Sequence, residues 1–377
     1  MKILIATPLY PPDDGGPATY SRTLERALPK EGIEVDIVSF SNFREHVKGI
    51  SHFLYFLALL RASKGAHLIY ALDLVSVGLP ALIVSKITGK PLVLKMVGDY
   101  AWEQGTQRFG VKENLDEFIK LDEQAIKKSY PRLLRLWNIE RKVAGYANKI
   151  ITPSRYLMNV VIEGWNIPSD KVILIYNSFN PDLPKESRTE LRTTLGMNSP
   201  TIISVGRFVP WKGFNGLMDV IAEVRKNVPG VMLEIAGSGD SSEYVSYANK
   251  KGYDFVHFLG LLNHATLMKR IRAADCFALN TGYEGLSHVI LEAMALETPV
   301  VTTDVGGNPE LFAPWSKLAL SPYNDIKELH AKILLLLLDK QSALNTAKSA
   351  SLFVSKFTEE RMIKETIVVL EKIMKPT

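Results

Sequence analysis

An α/β architecture of two doubly wound domains facing each other across a cleft is predicted for this chain, and three observations predict it. Short strand-like apolar runs alternate with longer helix-like segments along most of the sequence. The alternation breaks once, at a polar, proline-bearing loop over 176–184, and then restarts. At 377 residues the chain is longer than one domain normally is.

In the first half, strands are expected at 2–7, 34–39, 68–71, 92–96, 149–152 and 172–175. Helices are expected between them at 19–30 (closed by Gly32), 52–63, 78–88 and 139–147. Regular β-α alternation implies parallel strands joined by right-handed crossovers. In the second half, strands at 201–205, 232–236, 256–259, 276–279 and 300–303 alternate with helices at 214–227, 243–250, 267–273 and 287–296. An amphipathic segment at 359–375 reads as a terminal helix. The domains are accordingly set at 1–178 and 179–358, with 359–377 packing back on the first. Ligands of such sheets bind outside the carboxyl ends of the strands.

Composition bounds the rest. With 46% hydrophobic and 23% charged residues, the chain can fill two cores. Its one cysteine, Cys276, excludes an internal disulfide and any thiolate metal cluster. The first residues read as a β-strand rather than a leader. The longest apolar runs, 53–60 and 333–338, fall short of the ~20 residues that span a bilayer. A cytoplasmic protein is expected. Residues 1–178 hold 23 basic and 18 acidic residues, which is the whole net charge of +5, since the remainder holds 22 of each. Lys127, Lys128, Arg132, Arg135, Arg141, Lys142 and Lys149 face only Glu140 over that stretch, interleaved with Leu and Trp. Such a segment is either a helix with a solvated basic face or a peripheral contact with an anionic membrane. No basic groove motif with recurring stacking aromatics appears, so nucleic acid is not an expected partner.

The most informative stretch is Gly282-Tyr283-Glu284-Gly285-Leu286-Ser287-His288-Val289-Ile290-Leu291-Glu292. Glu284 and Glu292 bracket a glycine turn and the start of an apolar helix with Ser287 as N-cap. Free amides at a helix start favour phosphate. Glu292 sits among apolar residues, and a buried carboxylate needs donors, which sugar hydroxyls supply. Gly206-Arg207 and Lys212-Gly213 follow the strand 201–205, and two cations beside glycine turns suit a diphosphate. Gly15 and Gly16 follow the first strand, where glycines let backbone approach a ligand. Gly306-Gly307-Asn308-Pro309 reads as a turn with Asn308 as N-cap. There is no Gly-x4-Gly-Lys-Ser/Thr loop, no zinc spacing of Cys and His, and no Asp-x-Asp cluster for a metal.

Together these motifs, in order over nearly the whole chain, resemble a retaining glycosyltransferase of family 4, with the GT-B fold of two Rossmann-like domains. The resemblance implies an acceptor-binding first domain, a donor-binding second domain, a nucleoside-diphosphate sugar (UDP- or GDP-linked) as donor, a saccharide or lipid-linked saccharide as acceptor, a place in polysaccharide biosynthesis, and no metal or other cofactor. It gives Arg207 and Lys212 the diphosphate, Glu292 the ribose and Glu284 the transferred sugar. Amides of Leu286, Ser287 and His288 would help cap the phosphates, and Gly206, Gly285 and Val289 would join them in donor binding. Leu259 and its neighbours would line the base pocket, and Gly15 and Gly16 would admit the donor. One departure stands out: Gly98 occupies the place where many members carry His, and Asp99 follows it. Asp99 is expected either to orient a hydroxyl of acceptor or donor, or to form an Asx-turn after the strand. Rival readings on the same scaffold are a sugar-nucleotide hydrolase or 2-epimerase, and a non-catalytic nucleotide-sugar binder.

Overall fold

The computed structural model describes all residues except 14, 48, 180–182, 313–316 and 375–377; for Lys317 only the backbone is described. Of the glycine loop 15–18 its preceding Asp14, of the 176–184 loop residues 180–182, and of the terminal helix residue 375 thus lie outside the described residues. The chain divides into two compact units. One is Met1–Asn177 together with the helix Glu359–Met374, and the other is Ser178–Thr358.

The first unit holds six parallel strands: β1 (Lys2–Thr7), β2 (Glu34–Ser39), β3 (Leu68–Ala71), β4 (Leu92–Lys95), β5 (Lys149–Thr152) and β6 (Val172–Leu174), in the order β2-β1-β3-β4-β5-β6. β3 and β4 are buried throughout, as parallel strands covered on both faces must be. The edge strand β2 is only partly buried. The chain runs from β1 to one neighbour, β2, and then across to the other, β3, so the strand order reverses between β1 and β3. One face of the sheet is packed by the helix Gly16–Ala27 and by Glu359–Met374, whose Met362, Ile363, Val369 and Leu370 share a core with Ile3, Ile5, Leu24, Tyr70 and Val93.

The second unit repeats the architecture with β7 (Thr201–Val205), β8 (Met232–Ala236), β9 (Val256–Gly260), β10 (Cys276–Leu279), β11 (Val300–Thr303) and β12 (Leu320–Ser321). Their order is β12-β11-β10-β7-β8-β9, every pairing parallel, with the reversal between β7 and β10. Its core gathers Ile202, Leu233, Ile235 and Ala278 from the sheet with Phe214, Leu217, Ile221, Leu329 and Ile333 from helices.

Most predicted strands agree with the observed ones to within a residue. Several helices emerge only in the structure: Tyr100–Arg108, Leu115–Phe118, Glu123–Ser129, Arg188–Leu195, Ile326–Leu338 and Lys340–Val354. Most of these begin at a side-chain cap. Asn114 with Glu117 and Ser187 with Glu190 form full capping boxes, which are the sequence signal for two of these helices.

Candidate active site

The carboxyl ends of β7, β8 and β9 are stitched together by backbone hydrogen bonds. Gly206 N–H donates to Ala236 O (3.0 Å), Phe208 N–H to Ser238 O (2.8 Å) and Gly237 N–H to Gly260 O (2.9 Å). The approach demands glycine: a Cβ on Gly237 would lie 1.8 Å from the Gly206 carbonyl oxygen. A cavity of about 190 Å³ opens beside this crossing, lined by Gly206, Arg207, Gly237, Ser238, Leu261 and Leu267 among others. Leu259 lies half-buried on the neighbouring edge strand.

The loop after β7 is pinned to the loop after β10, across the point where the strand order reverses. Gly282 N–H donates to Trp211 O (2.6 Å), and Thr281 Oγ1 donates to Trp211 O (3.2 Å). Asn280 Nδ2 donates to Gly213 O (3.0 Å) and to Asn324 Oδ1 (2.7 Å), while Asn324 N–H returns a bond to Asn280 Oδ1 (3.0 Å). Asn280 and Thr281 are fully buried. The sequence reading missed both, although a polar pair directly after a buried strand is a signal for such a joint.

This joint brings Lys212 and Glu284 together. Lys212 Nζ donates to Glu284 Oε1, with only 11% and 12% of the two side chains exposed. Lys212 is thus a largely buried cation paired within the protein. Arg207 is exposed and lies over the Trp211 ring, 5.7 Å from its centroid. Glu284 is held from behind by the turn after β11. Gly307 N–H donates to Glu284 O (2.8 Å), and a Cβ on Gly306, whose φ is +60°, would lie 2.1 Å from that oxygen. Gly306-Gly307 therefore positions Glu284. Asn308 is not a cap. It is the first residue of the helix Asn308–Phe312, and its Nδ2 donates to Thr302 Oγ1 and Thr303 O at 3.2 Å each.

Gly285 through Val289 lead into the helix His288–Ala295. Ser287 occupies the N-cap position, but its hydroxyl makes no capping bond. Leu286 and Ser287 are buried, Gly285 and Val289 are half-buried, and His288 is exposed. The first amides of a helix have no carbonyl one turn back within the helix itself. Glu292 is largely buried, as expected, with 16% of its side chain exposed, but its carboxylate already has a partner within the protein: His264 Nε2 lies 2.9 Å from Oε1. His264 opens the helix His264–Ala273, just beyond the cavity-lining Leu261 and Leu262, and was not singled out in the sequence.

The structure gathers Arg207, Lys212, Glu284, Glu292 and the Gly206 and Gly285–Val289 backbone in the second unit. The remaining predicted residues belong to the first. Gly15, at φ 137°, is the N-cap and Gly16 the first residue of the helix Gly16–Ala27 that follows β1 at that sheet's own reversal point, and both are exposed. Asp99 requires a correction. It is fully buried, one oxygen accepting from Trp102 N–H (2.8 Å) to cap the helix Tyr100–Arg108, the other from Trp165 Nε1 (3.2 Å). Both oxygens are thus engaged within the protein, and Asp99 is the side-chain cap that its position also allowed. Beside it Glu140, equally buried, accepts from the amides of Tyr100 (2.7 Å) and Ala101 (2.9 Å). Burial, then the charge of Asp99, holds Glu140 well above the usual carboxylate range. Arg141 stacks on Trp137 at 3.7 Å and offsets these charges, so it leaves the exposed basic set. Lys127, Lys128, Arg132, Arg135 and Lys142 remain exposed, and Lys149 donates to Asp170 O (2.6 Å).

Two family models match successive stretches of the chain, one described as Glycosyltransferase Family 4 over residues 14–183 and one as Glycosyl transferases group 1 over residues 187–353. The chain belongs to the group 1, family 4 glycosyltransferases. Among curated family relatives, an uncharacterized glycosyltransferase of Methanocaldococcus jannaschii is 35% identical over 43% of this chain and 44% of its own length. A GDP-mannose-dependent monoacylated alpha-(1-6)-phosphatidylinositol monomannoside mannosyltransferase of Corynebacterium glutamicum is 32% identical over 46% and 48%. The chain spans about half the length of the curated relatives it matches. Among solved structures, a sucrose-phosphate synthase of Thermosynechococcus elongatus superposes with a TM-score of 0.75 at 20% identity over 99% of both chains. Anabaena HepE in complex with UDP and glucose superposes with a TM-score of 0.75 at 21% identity, over 99% of this chain and 100% of its own. At these identities the likeness establishes the fold, GT-B. Among the described residues, no helix is long and apolar enough to cross a membrane, and no three His, Cys, Asp or Glu side chains gather as for a metal ion.

Proposed function

We propose that this chain transfers a hexosyl group, with retention, from a nucleoside-diphosphate sugar to a saccharide or lipid-linked saccharide, without a metal, in glycan or polysaccharide biosynthesis. The observation that carries the reading is the Lys212–Glu284 pair at the strand-order reversal of the second sheet, with Arg207 and the start of the helix His288–Ala295 beside it. In the resting site the two charges satisfy each other. A donor diphosphate would draw Lys212 onto its phosphate oxygens and free Glu284 to accept from hydroxyls of the sugar. Arg207 and the amides of Leu286 to Val289 would hold the remaining phosphate charge. Glu292, held by His264, would take the ribose, and the cavity beside Gly206, Leu261 and Leu267 would take the base. Gly15 and Gly16 would keep the backbone after β1 thin enough for a ligand to approach that sheet's own reversal point.

In the step itself, the anomeric carbon–oxygen bond to the diphosphate breaks as the acceptor oxygen bonds to the same face of that carbon. The acceptor proton passes to the departing phosphate oxygen. Charge grows on the leaving group, so cations fixed there act mainly in the transition state. The named nucleotides of relatives, GDP-mannose and UDP-glucose, support that donor class. A peripheral place on the cytoplasmic face of an anionic bilayer belongs to the same reading and is supported by the exposed cations of the first unit.

The test is a panel of UDP- and GDP-sugars offered with saccharide acceptors in the presence of EDTA, the product anomer being read by NMR. Turnover of one donor, undiminished by EDTA, with the donor's anomeric configuration kept in the product, is expected. Hydrolysis without acceptor, or activity that needs Mg²⁺ or Mn²⁺, would overturn the reading.

A further inference from the structure

The helix Ile50–Ser63 is apolar on both sides. One stripe, Ser51, Tyr55, Leu59 and Ser63, is buried against the first unit. The opposite stripe, Ile50, Phe53 and Leu57, is exposed, Phe53 by 59% and Ile50 by 53%, and Val47 just before it by 73%. An amphipathic surface helix turns polar residues outward, so an apolar outer stripe on a helix that already has a buried face is unusual. The stripe continues into Arg61 and Lys64, both exposed.

The neighbouring helices extend the surface. Helix Gly78–Thr88 packs against Ile50–Ser63 and exposes Ile83 and Ile87 with Lys86 between them. Helix Leu134–Tyr146 packs against Gly78–Thr88, and Lys86 lies over the Tyr146 ring at 5.1 Å. The three crossovers, β2 to β3, β3 to β4 and β4 to β5, step in one direction along the sheet. Right-handed crossovers then place all three helices on one face. Between them they carry a single acidic residue, Glu140, and it is fully buried. From residue 46 to residue 98 the only acidic residue is Asp73, whose carboxylate is bound by Ser76 and by the amides of Val75 (2.7 Å) and Val77 (3.4 Å). Glu45 is the exposed acidic residue at the margin.

We infer that this face docks on an anionic lipid bilayer, with Ile50, Phe53 and Leu57 entering the acyl boundary and Arg61, Lys64 and Lys86 contacting the headgroups. The inference rests on the bilayer location of the proposed function but assigns the contact to a different surface from Lys127, Lys128 and Arg132. Charge complementarity selects the occupant. A second copy docking through the same face would bring the same cations together, whereas a bilayer offers apolar chains beneath a layer of negative charge.

Sedimentation with vesicles of phosphatidylcholine mixed with phosphatidylglycerol, against phosphatidylcholine alone, tests this. The full chain is expected to bind the mixed vesicles and to dissociate as salt is raised. Phe53→Ser with Leu57→Ser should weaken binding by about tenfold or more. Arg61→Gln, Lys64→Gln and Lys86→Gln together should weaken it on the order of a hundredfold, since each cation near such a surface contributes roughly fivefold. Lys127→Gln, Lys128→Gln and Arg132→Gln should leave most of it. Thermal shift by UDP or GDP should be the same in all variants, which shows them folded. If the last set abolishes binding while the Phe53/Leu57 variant keeps it, this face is wrong and the bilayer reading stands. No binding to mixed vesicles at low salt overturns both. A wild-type dimer that Phe53→Ser dissociates would make the face a contact between copies and overturn the lipid assignment.

Discussion

Arg207 and Lys212 look equivalent in the sequence, two cations in one glycine-bounded loop, but the fold treats them oppositely. Arg207→Ala should abolish transfer while changing stability by no more than about 0.5 kcal/mol, because Arg207 is exposed. Lys212→Ala should abolish transfer and also cost about 1–3 kcal/mol in urea unfolding, because it strands the largely buried Glu284 carboxylate. Equal unfolding midpoints for the two variants would contradict that asymmetry. Glu292 and His264 form the second coupled pair. Glu292→Gln should weaken nucleoside-diphosphate affinity, and His264→Ala should do so less, by roughly two- to tenfold in calorimetry. Unchanged affinity in Glu292→Gln would refute the ribose role. Lys95 is a different case. It ends β4, 2% exposed, near the Ile175 carbonyl (3.3 Å) and the Tyr20 ring (4.8 Å). Burial lowers its ammonium pKa from 10.5 to about 7. Between those two values the unfolded chain holds the proton that the folded chain has released, so stability rises with pH across that window. At and below pH 7 the cost of burying the charge is felt in full. Lys95→Met should therefore stabilise the protein by about 1–3 kcal/mol at neutral pH and flatten its stability between neutral and alkaline pH. A pH slope unchanged by the substitution would show that Lys95 does not titrate in this way.

At the scale of elements, the site is made by loops that constrain one another. The turn after β11 carries Gly306 at positive φ because no side chain fits between it and the Glu284 carbonyl. Gly306→Ala should cost about 2–4 kcal/mol and reduce transfer by displacing Glu284, although residue 306 is given no contact with substrate. Wild-type turnover in a folded Gly306→Ala protein would show that this turn does not position Glu284. Gly-Gly after a strand announces a close approach, but only the register of β11 beside β10 says that the thing approached is the protein's own backbone. The capping boxes at Asn114 and Ser187 are signals local enough to stand in the sequence, since a cap is a contact over three residues, but the helices they open were not expected from it. The pairing of His264 with Glu292, 28 residues apart, was not.

At the scale of the whole molecule, the last helix belongs to the first sheet although half the chain separates them. Met362, Ile363, Val369 and Leu370 complete the core around Ile3, Ile5 and Val93. A chain ending at residue 358 should lose cooperative unfolding of the first unit, while the second still shows a thermal shift with nucleoside diphosphate. Intact two-unit unfolding after that truncation would overturn the role given to the helix. The sequence by itself determined the α/β alternation, the parallel strands, the break near residue 178 and the family, because strand and helix periods and glycine turns are local patterns that survive without knowing any neighbour. Only the tertiary structure decided which charges pair with one another and how deeply each is buried. Lys212 on Glu284, Glu292 on His264, Asp99 beneath Trp165 and the outward Phe53 are outcomes of strand order and burial, and the desolvation that sets their energies exists only once the chain has closed around them.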